Sequence, residues 1–220
     1  QMIVKVSPTD WVTNMEPNYL PYIEFYDEDF PWRFTPAAAK VDNPSDSKFN
    51  KLRPWLCLVA LEESEFKDDA FNGILPSIEI LDSAATIFPS EQQTWAWAHV
   101  HVNQDLGDSA VGGNLTNILT TLSNLIKDDP DKAVSRILCP RKLKPNTGYH
   151  TFLIPTFETG RLAGLGQTIS PTIDALQPSW TQSTPSGTHY PIYHRWFFKT
   201  GNAGDFESLV RLLQPRAINT

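Results

Sequence analysis

Two histidines separated by one residue, His99 and His101, are the side chains of this sequence best suited to chemistry. They end the segment Trp95-Ala96-Trp97-Ala98-His99-Val100-His101-Val102, where strict alternation predicts a strand with tryptophans and histidines on one face and small apolar residues on the other. Two imidazoles on one strand face can bind one divalent metal ion, and Asp105, in the turn that follows, can supply a third ligand. The same imidazoles also suit the edge of a core, beside aromatic rings and hydrogen-bonded to backbone or solvent.

The order His99-x-His101, Asp105, Gly112 resembles part of the cupin metal motif. That resemblance implies a small barrel holding iron, manganese or zinc, and a metal-dependent oxygenase or isomerase with His99, His101 and Asp105 as ligands. The sequence departs from the motif in three places: Gln93 replaces its first glycine, Asp105 replaces its glutamate, and Pro185-x-Gly187-x-His189 has the wrong spacing for its second half. The favoured reading is a packed sheet element without a cofactor, and the alternative is an enzyme with one divalent metal ion.

Other chemistry has less support. The sequence contains no Gly-x-Ser-x-Gly elbow, Walker sequence or Cys-x-x-Cys pair, and His150, His189 and His194 have no partner at useful spacing. Cys57 and Cys139 lie among apolar residues and read as buried free thiols, which favours a reducing compartment. Glu24, Asp27, Asp29 and Glu158 lie near aromatic residues, an arrangement open to glycosidase chemistry.

These groups must be carried by short elements, because 18 prolines interrupt the 220 residues. Strands are expected at Met2–Val6, Trp55–Leu61, Ser77–Leu81, Trp95–Val102, Tyr149–Ile154 and Tyr190–Lys199. The unbroken apolar run Trp55–Leu61 suits a strand buried on both faces. Helices are expected at Leu115–Lys127, whose apolar residues recur at three and four, and at Asp131–Leu138, Phe157–Leu165 and Asp205–Leu213. The polar stretch 37–50 reads as a loop, and residues 167–188 as a loop or flap. The fold class is therefore α+β: residues 1–220 form a single domain with a mixed, mainly antiparallel sheet covered by four short helices.

Charge narrows the partners. Residues 1–110 carry 18 acidic and 7 basic side chains and residues 111–220 carry 7 and 11, so the halves hold −11 and +4. The first half repels nucleic acid, and the halves can attract each other or neighbouring copies. No apolar run approaches the roughly 20 residues of a membrane span, and the start Gln1-Met2-Ile3-Val4-Lys5 lacks the layout of a signal peptide. The basic side chains Arg136, Arg141, Lys142 and Lys144, with Trp180 from the 167–188 loop, form the candidate interaction surface for an acidic protein partner.

Three blocks carry a wider resemblance: Arg53-Pro54-Trp55-Leu56-Cys57-Leu58-Val59-Ala60-Leu61-Glu62-Glu63, the run from Ile137 to Gly166 that includes Cys139-Pro140-Arg141-Lys142-Leu143-Lys144-Pro145, and Tyr190-Pro191-Ile192-Tyr193-His194-Arg195-Trp196 with Gly204-Asp205-Phe206 beyond. Together they resemble the N-terminal region of large bacterial proteins associated with phage-tail-like contractile injection particles. The resemblance implies that the chain is the N-terminal part of a longer structural protein. Its partners would be other subunits or copies of itself, in the cytoplasm within an assembled particle.

Overall fold

The computed structural model describes residues 2–36, 51–69, 73–103 and 114–202. In chain order its elements are β1 (Ile3–Ser7), β2 (Val12–Met15), β3 (Tyr22–Phe25), β4 (Leu56–Leu61), β5 (Phe66–Asp68), β6 (Ser77–Ile80), α1 (Ala84–Ile87), β7 (Ala98–Val102), α2 (Leu115–Asp128), β8 (Ala133–Leu138), β9 (Gly148–Pro155), α3 (Glu158–Gly164), β10 (His189–Pro191) and β11 (His194–Thr200). The class is α+β, with mixed and antiparallel sheets.

The strands form three sheets, ordered β1-β3-β8-β7, β2-β11-β9-β4 and β10-β6-β5. All pairs are antiparallel except β2 with β11. Every residue of β4 is buried, as an all-apolar strand requires. Its alternate side chains enter two separate cores. Leu56, Leu58 and Ala60 join Tyr149, Leu153, Trp196 and Phe198 against Ile23, Phe25 and Ile137 of the first sheet. Cys57, Val59 and Leu61 join Phe152 and Ile154 against Phe66, Ile78 and Ile80 of the third. The sheet containing β4 is thus the middle of three layers, and each fully buried side chain of this size contributes about 2 kcal/mol.

Sheets, more than helices, cover this central layer. Of the four expected helices, Leu115–Lys127 forms α2 and Phe157–Leu165 forms α3, while Asp205–Leu213 lies outside the described residues, as do the 37–50 loop and Asp105. The fourth, Asp131–Leu138, is a strand. Pro130 starts only the single 3-10 turn Pro130–Lys132, after which Ala133, Ser135 and Ile137 alternate inward and β8 pairs with both β3 and β7. Two full ladders outweigh one start signal.

The expected strand Tyr190–Lys199 is two strands in different sheets, parted at Ile192 and Tyr193. The 167–188 segment is a loop without regular elements, but it is pinned along its length and is no free flap. Ser179 N–H donates to the Thr156 carbonyl (2.8 Å), Ala84 N–H to the Thr184 carbonyl (3.0 Å) and Gly187 N–H to the Ile80 carbonyl (2.8 Å).

Gly164 lets α3 close on β10. A Cβ there would lie 2.6 Å from Cγ of Pro191, a ring that cannot swing aside. Gly164→Ala is expected to destabilise the protein by about 1–3 kcal/mol in urea denaturation, despite the higher helix propensity of alanine.

Candidate functional site

The alternating His-x-His segment is strand for only part of its length. Glu91–Trp97 is a 3-10 helix, so Trp95 and Trp97 do not share a strand face with the histidines. Extended backbone begins at Ala98, and β7 is an edge strand of its sheet, not a central one. His99 and His101 do point to one side, two residues apart and both half-buried.

Their side of the sheet is organised by charge. Lys5, Glu24, Arg136 and His99 stand in register across β1, β3, β8 and β7. Glu24, only 3% exposed, accepts from Nε of Arg136 and meets Nζ of Lys5 at 3.2 Å. Both cations also lie over the Tyr22 ring. Burial holds His99 below the ordinary imidazole value, and the Arg136 charge adds to the effect. The cation beside His99 opposes a second positive ion there, and the nearby carboxylate is already shared by two bases. Among the described residues, no group of three or more His, Cys, Asp or Glu is placed to hold a metal ion. Asp105, the third ligand expected from the sequence, lies outside them.

The basic cluster is divided among several structural tasks. Arg136 serves Glu24. Arg141 grips Glu65 through both terminal nitrogens (2.6 and 2.7 Å), reaches Glu62 (3.2 Å) and donates to the Ala60 carbonyl (2.8 Å) on the open edge of β4. Glu65 in turn accepts from the Glu62 backbone N–H at 2.8 Å. Lys144 pairs with Glu62 at 2.6 Å, and its backbone N–H donates to the Tyr149 hydroxyl at 2.9 Å. Lys142 alone of the four is exposed without an ion pair among the described residues, at the rim of a cleft of about 580 Å³ floored by Val59, Ile87 and Phe88. Trp180 is not a surface anchor: it is 1% exposed, packed on Phe88, with its indole N–H donating to the Pro89 carbonyl (2.8 Å).

The carboxylates near aromatic residues are likewise committed to arginines. Asp27 and Asp29 share Arg33 at 2.9 and 2.5 Å, and Glu158 is bound by Arg161 at 2.6 Å. Both thiols are free and buried, and burial pushes Cys139 up to about 11 and Cys57 further in the same direction, so neither supplies thiolate at neutral pH.

Sequence reading missed a polar cluster on the third sheet. His189 lies in register with Glu79, and Glu79 with Lys67. The His189 ring meets Asp69 through Nδ1 at 2.8 Å and Glu79 through Nε2 at 3.6 Å, while Ser77 Oγ donates to Asp69 at 3.1 Å. The 120 residues between His189 and Asp69 leave no local spacing by which to find it.

Compared with known proteins, the chain matches no family model, no curated protein and no solved structure. No helix among the described residues is long and apolar enough to cross a membrane.

Two outcomes test this electrostatic picture. Arg141 and Glu65 are both mostly buried, so Arg141→Lys, which loses the planar two-pronged contact, is expected to cost about 2–4 kcal/mol in urea denaturation. Burial also holds His150 and His194, like His99, below the ordinary imidazole value of 6.5. Below that value the unfolded chain binds more protons at these sites, so their contribution to stability is full above about pH 6.5 and is lost as acid is added. The thermal midpoint is expected to drop from about pH 7 to about pH 5, with a shallower slope when all three are replaced by glutamine.

Proposed function

We propose that this domain is an interaction module of a larger assembly, with other protein subunits or copies of itself as partners. The observation that carries this reading is α2. A 14-residue helix gains little stability alone and normally relies on burying its apolar stripe. Here Ile118, Leu122, Leu125 and Ile126 are only half-buried, Leu119 is 53% exposed, and none of these five residues belongs to either core. The helix is nonetheless well made, with Asn114 Oδ1 accepting from Thr116 N–H at 2.9 Å and Lys127 in the last turn. A capped helix with an open apolar stripe fits the groove of another subunit.

A second support is the edge strand β7, which exposes Val100 and can accept a further strand. The sequence resemblance to contractile injection particle proteins points the same way and would place the domain within such a particle in the cytoplasm. Glu24, Glu62, Glu65 and Asp68 of the acidic half are paired with Arg136, Arg141, Lys144 and Arg195 of the basic half inside the molecule, which makes apolar contact the better candidate for holding copies together.

Leu119→Asp tests the proposal without disturbing either core. The purified wild type, followed by light scattering, and the tagged protein, sedimented from its own cells, are expected to show an associated species that the variant weakens by about tenfold or more. A wild type that is monomeric in both measurements would overturn the reading.

A further inference from the structure

A second surface, remote in sequence from α2, has the composition of a ligand site. On β11, Trp196 and Phe198 face the core while Arg195, Phe197 and Lys199 face the opposite side of the central sheet. The third sheet covers that side as far as Arg195, whose guanidinium meets Asp68 at 2.6 Å. Beyond it Phe197 lies half-open, its ring against Gly148, where a Cβ would come within 3.2 Å. Trp11 and His150 flank it, each with its ring centre 4.9 Å from that of Phe197.

Trp11 is held there at a cost. It is 71% exposed, and its φ of 64° lies in the left-handed region, where a bulky side chain is an outlier. Two hydrogen bonds impose the position: Trp11 N–H donates to the Phe197 carbonyl at 2.7 Å, and Phe197 N–H donates to Asp10 Oδ1 at 2.9 Å. Glycine would satisfy the same backbone without strain and without exposing an indole. The Trp11 ring packs on Phe197, yet most of the indole stays in water, and strain retained at an exposed aromatic residue points to a role beyond packing.

Beside the aromatic shelf opens a cleft of about 680 Å³, lined by Glu63, Ser64, His150, Phe197 and Lys199 among others. Nearby charges are paired, Glu62 with Lys144 and Asp68 with Arg195. The side chains of Glu63, Ser64, His150 and Lys199 make no hydrogen bond or ion pair among the described residues. They offer an acceptor, a donor and two groups able to be either, with one negative and one positive charge between them.

We propose that this shelf and cleft bind a neutral saccharide, one sugar ring lying against Trp11 and Phe197 and its hydroxyls meeting Glu63, Ser64, His150 and Lys199. A sugar ring joins an apolar C–H face to a rim of hydroxyls that need both donors and acceptors, and this surface provides both. A nucleic acid strand would stack on the same rings, but the chain's net charge of −7 repels it. An apolar protein surface would leave four polar groups without partners.

The test is calorimetric titration of the full chain with cellohexaose, chitohexaose, maltohexaose and mannohexaose. Saturable binding of at least one is expected, weakened about tenfold or more by Trp11→Gly and also by Lys199→Ala. Trp11→Gly is expected to keep or raise the thermal midpoint, which separates loss of ligand from loss of fold. The proposal is overturned if folded wild type binds none of the four up to about 10 mM, or if binding survives both the Trp11→Gly and the Lys199→Ala substitution.

Discussion

A strand with no polar face must be covered twice, and the rest of this structure follows from that requirement. β4 has six buried residues in a row and pairs with β9, whose central residues also enter both cores. One cover would leave half of that surface in water. The chain supplies two, a four-stranded sheet on one side and a three-stranded sheet with α1 and the pinned 167–188 loop on the other. β4 is also the last strand of its sheet, so its outer backbone needs protection. Arg141 provides it by bonding the Ala60 carbonyl while held by Glu65 and Glu62.

The opposite charges of the two halves have the same origin. Glu24, Glu62, Glu65, Asp68 and Glu79 come from the acidic half, and Arg136, Arg141, Lys144, His189 and Arg195 from the basic half. The folded chain brings them together across and between sheets. Groups that look reactive in the sequence are thereby used to fix strand register and to close edges. What remains outward is of a different kind: an apolar helix stripe and an aromatic shelf with polar side chains not yet engaged. The proposed functions rest on these surfaces.

Legibility varied with the range of the deciding interaction. β4, β9, α2 and α3 were readable because their apolar patterns are local and unopposed. The β8 segment was not, since Pro130 imitates a helix start and only pairing with β3 and β7 settles the matter. Trp95 and Trp97 continue the alternation of His99 and His101, yet a 3-10 helix takes them. Alternation says which side chains could share a face, but without a partner strand at that point it does not make the backbone extend. The shelf was invisible for a related reason, as Trp11 and Phe197 are 186 positions apart and joined through the parallel pairing of β2 with β11.

By itself the sequence determined the α+β class, the doubly buried strand, the amphipathic helix and the buried thiols, because each is set by which residues avoid water over a short span. Only the tertiary structure decided that sheets form both covers, that Trp180 is core, that Arg136 and Arg141 are structural, and that Trp11 stands exposed beside Phe197. Those outcomes depend on which distant strands pair, and a charge or a ring has no fixed role until its neighbour across the sheet is known.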